Sequence, residues 1–356
     1  MISDQERQII AFTKFARLYK DGEFAVKVLS KDHSTPPHNV RQECQILKKL
    51  STSEGCLNVV KLIEERVLID DVELVFEYYP FDLYQFMESC YIQPQKNNPY
   101  YSLGVTKSAS TVGRQYDNKF DIDRFAKDFM LQIANGLKYI HKNGIIHRDI
   151  KPQNIMLRPI QDSFRLIIID FGISYDITND NSAEPANSKI TDVSTSIYKA
   201  PELLFSVKNY SFAIDIWAFM IIISQWFTDK SDTKNYCKSC FDDGYRPGDM
   251  DGSEIKLIFS IFENLGVPSI EQWPELKSYG SHEVFEGFFG NSETSNYIAN
   301  KDEDAKTLTF KKLFSRIDEL KDKKYMTKLL KCLSGMCIYE STKRITASEI
   351  VHILSN

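Results

Sequence analysis

The spacing of apolar residues changes character along this 356-residue chain. Within residues 1–80, FAVKVL (24–29) and VELVFEYY (72–79) are short apolar runs that predict strands, and VRQECQILKKL (40–50) predicts a helix. Beyond residue 80 longer helices dominate. In DRFAKDFMLQIANGLKYIHKNG (123–144) Phe125, Phe129, Ile133, Leu137 and Ile140 fall on one helical face, and Asn143-Gly144 closes it as a C-cap would. RLIIID (165–170) is continuously apolar but too short for a helix, which predicts a buried strand ending in Asp170. AIDIWAFMIIISQWF (213–227) and KYMTKLLKCLSGM (324–336) predict helices again. Residues 90–118, 176–192 and 228–252 are rich in Asn, Ser, Asp, Gly and Pro and predict loops. The expected class is α+β, with a small sheet-rich lobe over 1–80 and a larger helical lobe over 81–356. No internal repeat interrupts this plan.

Composition narrows the possible partners. A hydrophobic content of 42% is ample for a buried core in a chain of this size. The net charge of -5 and pI near 5.8 argue against a nucleic-acid partner, because proteins that track phosphates carry a basic surplus. The longest apolar run, Ile216 to Ile223, is far below the ~20 residues of a membrane span, and MISDQERQII contains no cleavable apolar segment. An intracellular protein, cytoplasmic and nuclear, with no membrane partner is expected. Seven cysteines at irregular spacing predict free thiols in a reducing compartment. Cys237 and Cys240 have metal-ligand spacing in CKSC. With no second C-x-x-C or H-x-x-x-H to complete four ligands, a plain loop is the expectation there.

The densest chemical signal is IIHRDIKPQNIML (145–157) followed by IIIDFGISY (167–175). These contain H-R-D-x-x-x-x-N and D-F-G, the catalytic-loop and metal-binding motifs of protein kinases. Phosphoryl transfer needs a group that orients the attacking hydroxyl and cations that neutralise the phosphates. Asp149 fits the first need. Asn154 and Asp170 offer hard oxygen ligands for Mg²⁺, and Lys151 is placed to steady the γ-phosphate, a pattern of kinases acting on serine or threonine. Taken singly, His147 reads as a packed imidazole and Asp149 as a cap. Two motifs in this order and at this separation are far harder to produce by chance.

Other parts fall in sequence where such an enzyme needs them. Lys27, in Ala25-Val26-Lys27, is expected to bind the α- and β-phosphates and to pair with a helix glutamate, Glu43. VELVFEYYPFDLYQFM resembles a kinase hinge. That resemblance puts Phe76 at the back of the adenine pocket, the backbone of Glu77 and Tyr79 beside adenine, Asp82 near the ribose and Met156 beneath the ring. Phe76 and Met156 are equally compatible with ordinary core packing. Ile10, Leu18 and Ala25 complete the implied ATP site. In STSIYKAPE (194–202) Thr195 is expected to touch Asp149 and Lys151, and Glu202 to pair with Arg344. Asp215 is expected to brace the loop that holds His147 and Arg148.

Over nearly its whole length the chain resembles eukaryotic protein kinases, specifically the group of cyclin-dependent and MAP kinases. GSEIKLIFSIFENLGVPSIEQWPEL (252–276) is similar to that group's C-lobe insert, which would lie around 228–300. PPHNVRQECQILKKL stands where cyclin-dependent kinases carry their cyclin-binding helix, without the cyclin-contact pattern. The glycine loop G-x-G-x-x-G is replaced by Ala11, Thr13 and Ala16. That loss, together with PPHN, NNPYY (97–101), SAEPANSKITDVSTSIYKAPELLF and IIISQWF, resembles the monomeric CDK-activating kinases of budding yeasts. The resemblance implies a bilobal protein-kinase fold and ATP with Mg²⁺ as cofactors. It also implies cyclin-dependent kinases as partners and substrates, a monomer with no obligatory cyclin, and control of cell-cycle progression. A proline-directed kinase is the alternative enzyme, although Lys199 replaces the arginine common there. A pseudokinase scaffold would explain the lost glycines but not the intact Lys27, Asp149, Asn154 and Asp170. In cyclin-dependent kinases three arginines grip the activating phosphothreonine. Their positions here hold Gln42, Arg148 and Tyr175, so activity without loop phosphorylation is expected. Weaker ATP binding, with more weight on Lys27 and Mg²⁺, is expected from the lost glycines.

Overall fold

The computed structural model describes residues 7–31, 35–51, 55–93, 115–179, 184–231, 237–246, 248–290 and 292–356. NNPYY, most of the 90–118 stretch and short parts of the other two polar stretches lie outside these residues. The N-terminal lobe is an antiparallel sheet of β1 (Gln8–Phe12), β2 (Ala16–Asp21), β3 (Phe24–Ser30), β4 (Glu64–Val67) and β5 (Asp71–Glu77), in the order β1-β2-β3-β5-β4. A two-residue turn joins β2 to β3, with Asp21 opposite Phe24 and Gly22 at φ 59°. Alternation divides β3 between two environments. Val26 and Val28 form a small cluster with Val75, whereas Leu29 joins the main core with Leu74, Cys44 and Leu47. Lys27 therefore shares a face with Leu29, toward helix α1 (Val40–Leu50). That helix is capped by Asn39, whose side chain accepts from the Gln42 N–H, and carries Lys48 and Lys49 in its last turn.

Residues 78–80 lead into the C-terminal lobe. There β6 (Phe81–Asp82) pairs with β10 (Ile155–Ile160), and β10 with β11 (Ser163–Ile168). Helix α2 (Leu83–Ser89) begins at a capping box between Asp82 and Gln85. Three ends of the expected loops are paired instead: β7 (Tyr91–Ile92), β8 (Tyr116–Asn118) and β13 (Lys230–Ser231) make a small sheet. Asn118 anchors it by donating to the carbonyls of Gln225 and Thr228. Helix α3 (Ile122–Lys142) leads to β9 (Ile145–Ile146), which pairs with β12 (Tyr175–Asp176). After α4 (Pro201–Leu204) comes α5 (Ala213–Phe227), buried along its whole length because it is apolar all round. The chain continues through α6 (Glu254–Leu265), α7 (Pro274–Tyr279), α8 (His282–Phe289), α9 (Glu303–Leu313), α10 (Lys323–Met336), which packs on α5, and α11 (Ala347–Ser355), which packs on α3. Cys237 and Cys240 sit against α5: Gln225 Nε2 donates to the Cys237 carbonyl, and the Cys240 N–H donates to Ser224 Oγ.

One strand ends earlier than its apolar run predicts. The ladder stops at Ile168, and Asp170 stands outside it with φ 65°. Leaving the sheet swings its carboxylate toward Lys27 instead of a neighbouring strand.

Candidate active site

The loop after β9 is held from below. Asp215, buried at the start of α5, accepts from the backbone N–H groups of His147 and Arg148, each at 2.9 Å, and its Oδ2 also meets His141 Nε2 at 2.9 Å. These bonds offset a strained backbone, because Arg148 has φ 71°, which costs a non-glycine residue roughly 1–3 kcal/mol. His147 points inward, with Nε2 at 2.9 Å from the Ile169 carbonyl and its ring packed against Phe171.

Both oxygens of Asp149 are committed. Oδ1 accepts from Thr195 Oγ1 at 2.8 Å, and Oδ2 lies 2.9 Å from both Asn154 Nδ2 and Lys151 Nζ. Lys151 also donates to Thr195 Oγ1 at 2.9 Å. The carboxylate thus has one orientation, set by three partners from two segments of chain.

Across the cleft Lys27 Nζ lies 2.6 Å from Glu43 Oε1 and 2.8 Å from Asp170 Oδ1. Burial alone would lower the lysine pKa, but the charges of Asp170 and Glu43 outweigh it and the ammonium is held above its ordinary value. The charge of Lys27 keeps the Asp170 carboxyl well below the usual carboxylate range. Asp170 is therefore ionised at neutral pH, with a side chain 43% exposed to the cleft. Asn154 is adjacent, since the Ile169 N–H donates to its carbonyl at 2.9 Å. Among the described residues no cluster of three or more His, Cys, Asp or Glu has metal-ligand form. A carboxylate and an amide oxygen nevertheless fit Mg²⁺, which keeps waters and takes phosphate oxygens for the rest of its shell.

The remaining nucleotide-site candidates lie on the strands flanking this cleft. Ala25 is opposite Phe76 in the β3–β5 register, and Met156 is opposite Asp82 in the β10–β6 register. Leu18 is half-buried opposite Lys27, while Ile10 is 45% exposed at a register irregularity in β1. Asp82 is engaged as the α2 cap, and the Glu77 carboxylate pairs with Arg158 at 2.7 Å and accepts from the Tyr79 hydroxyl at 3.3 Å. The Tyr78 N–H is taken by the Glu23 carbonyl.

The turn that lacks glycines is closed by its own side chains. Thr13 Oγ1 accepts from the N–H groups of Phe15 and Ala16 at 3.3 and 2.9 Å. Ala11, Thr13 and Ala16 all avoid positive φ, so this turn does not require glycine. Phe15 then stacks on His38 with ring centroids 3.6 Å apart, fastening the turn to the segment before α1. Lys14, Phe15 and His38 line a cavity of about 360 Å³ together with Asp149, Asp170 and Thr195. Phe15→Ala is expected to raise the ATP KM by roughly 2- to 10-fold with little change in kcat, from loss of a stack worth about 0.5–1.5 kcal/mol. Steady-state ATP titration measures this; an unchanged KM would show that the stack does not serve the nucleotide.

Residues 13–353 match the family model of the protein kinase domain. The chain belongs to the protein kinase family. It is 39% identical over 356 residues to serine/threonine-protein kinase CAK1 of Saccharomyces cerevisiae, covering 98% of this chain and 96% of that one. It is 33% identical over 175 residues to serine/threonine-protein kinase csk1 of Schizosaccharomyces pombe, covering 49% of this chain and 52% of the relative. A third relative is serine/threonine-protein kinase ICK of Mus musculus, 32% identical over 235 residues, with 66% of this chain and 28% of that one covered. The two lobes are those of the bilobal kinase fold, and the chain is a protein serine/threonine kinase of a family that uses ATP and Mg²⁺. No described helix is long and apolar enough to cross a membrane.

The kinase's segment from Asp170 to Glu202 is tied down at several points. Glu202 and Arg344 form a bidentate pair at 2.7 and 3.0 Å with no solvent exposure. Gln42 Nε2 donates to the Ser174 carbonyl at 3.1 Å, and Lys199 Nζ reaches Asp192 at 3.1 Å and Glu254 at 2.5 Å. Ser194 and Ser196 take positive φ values of 67° and 44° on either side of Thr195. Arg148 meets Glu184, a residue that the reading of 176–192 as a loop did not single out.

Proposed function

We propose that this kinase transfers the ATP γ-phosphate to the activation-loop threonine of cyclin-dependent kinases, acting as a monomer without a cyclin. The observation that carries the reading is the seating of α1 by the chain itself. Lys27 and Glu43 are joined at 2.6 Å, and the helix is held by Gln42 on Ser174, by Lys49 on Asp176 at 3.0 Å and by Phe15 stacked on His38. A kinase whose α1 is already docked has no need of a partner to dock it. The similarity to CAK1 along almost the whole of both chains supports the same reading. Cell-cycle control and a cytoplasmic and nuclear location would follow from such a substrate.

In this mechanism Asp149, with both oxygens positioned by Thr195, Asn154 and Lys151, orients the substrate hydroxyl and accepts its proton. Lys151 also steadies the γ-phosphate. Lys27, fixed by Glu43, holds the α- and β-phosphates. Asn154 and Asp170 would hold Mg²⁺, which when bound neutralises charge on the phosphate oxygens. Ile10, Leu18, Ala25, Phe76 and Met156 enclose adenine, the hinge backbone at Glu77 and Tyr79 hydrogen-bonds it, and Asp82 lies toward the ribose. Asp215, His147, Arg148, Glu202 and Arg344 fix the scaffold.

Substrate choice separates this proposal from a proline-directed kinase. Transfer to folded cyclin-dependent kinases at a rate far above that to proline-containing peptides is the expected result. A preference for the peptides would replace the proposed substrate.

A further inference from the structure

Arg148 precedes Asp149, and its side chain is only 1% exposed. A guanidinium removed from water needs an anion, and an uncompensated one costs several kcal/mol. Glu184 supplies that anion through two parallel bonds, 2.9 Å to Nη1 and 2.7 Å to Nη2. The same carboxylate accepts from the Ile190 N–H at 2.9 Å, and the Glu184 carbonyl accepts from the Tyr175 hydroxyl at 3.0 Å. Aromatic faces complete the enclosure. Arg148 lies over Tyr175 and Tyr210 at 4.7 and 5.4 Å, and Lys189 over the same rings at 5.4 and 5.3 Å.

We infer that Glu184 is a built-in anion that positions the activation segment, making a phosphate on that segment unnecessary. The inference rests on the kinase reading above. Charge matching supports it. A phosphoryl group carries about -1.5 to -2 charges and calls for several converging cations, whereas a carboxylate is balanced by one guanidinium. Arg148 is that guanidinium; the positions of the other two arginines hold Gln42, which bonds a backbone carbonyl, and Tyr175, which stacks. Burial disfavours the Glu184 charge, but Arg148, the Ile190 N–H and Lys189 together outweigh it and the carboxyl sits below its ordinary value. Lys189 is pushed down to about 8, by burial and then by Arg148, and still carries most of its charge near neutral pH; its ammonium lies over the Tyr175 and Tyr210 rings, while the two bonds to the Glu184 carboxylate come from Arg148. The pair also closes a loop of constraints. Glu184 fixes Ile190, the segment runs on to Thr195, and Thr195 returns to Asp149 beside Arg148.

The test uses the full chain expressed in bacteria and shown by mass to carry no phosphate, as wild type, Glu184→Gln, Glu184→Asp and Glu184→Ala. Wild type is expected to be fully active. Glu184→Gln keeps the shape and removes the charge, and its kcat is expected to fall about 10- to 100-fold, the equivalent of a charged hydrogen bond, with the ATP KM within about twofold. Glu184→Asp recovers part of the rate. Millimolar sulfate restores activity to Glu184→Ala and leaves wild type unaffected. Amide hydrogen exchange over 189–199 is faster in the Gln variant. Wild-type kcat and exchange in Glu184→Gln would overturn the inference, as would a wild type that is silent until its segment is phosphorylated. If wild type transfers phosphate to no substrate, the kinase reading fails, and the exchange comparison alone decides whether Glu184 holds the segment.

Discussion

Asp149→Asn should lower kcat by about 10²- to 10⁴-fold, the range contributed by a positioned proton acceptor. The replacement is nearly isosteric, so the fold and the Lys27–Glu43–Asp170 cluster stay intact. Its effect is local and twofold. The amide cannot take the substrate proton, and an NH₂ group in place of Oδ2 faces two donors, Lys151 Nζ and Asn154 Nδ2, each 2.9 Å from that oxygen. ATP affinity should change little, because Asp149 is not among the groups bonded to Lys27. Single-turnover transfer and equilibrium nucleotide binding, measured on the same preparation, separate the two. A variant that keeps more than about a tenth of the wild-type kcat would remove Asp149 from the proton-accepting role.

Glu202→Gln should cost about 3–5 kcal/mol of stability, because it leaves the Arg344 cation buried without its anion. Three carbonyls, those of Ile338, Tyr339 and Ala213, still accept from Arg344 but carry no net charge. Arg344→Met should cost a similar amount by stranding Glu202, which is also fully buried. The double variant should cost much less than the sum, since neither charge is then left alone. Denaturant unfolding of the three variants measures this, and a loss below about 1 kcal/mol for Glu202→Gln would show that the buried charge is compensated elsewhere. The pair joins α4 to the segment before α11, so its loss should also loosen the end of the activation segment.

How much of this was legible in the sequence depends on how local each feature is. The periodic segments, helices α1 and α5 above all, match their apolar patterns closely because burial of one face or of all faces decides them. H-R-D and D-F-G are legible because their chemistry is written in consecutive residues. The strand before Asp170 ends two residues short of its apolar run, since such a run does not reveal where the backbone turns to positive φ. The pairing of β7, β8 and β13 was hidden because two- and three-residue strands lie at the edges of polar stretches. Phe15 and His38 carry no local signal for each other. An aromatic residue in a turn and a histidine after two prolines become a stack only when the sheet sets them together. Glu184 was the least legible. An acidic residue among Ser, Asn, Ala and Pro reads as a solvated loop, and only the fold carries it onto Arg148, 36 positions away.

The proposed function is tested most directly by incubating the purified chain alone with labelled Mg·ATP and a purified, cyclin-free cyclin-dependent kinase, and mapping the labelled residue. The proposal predicts label on the activation-loop threonine, formed without any cyclin and absent with Asp149→Asn. No label on that threonine, in a preparation that binds nucleotide, would contradict it.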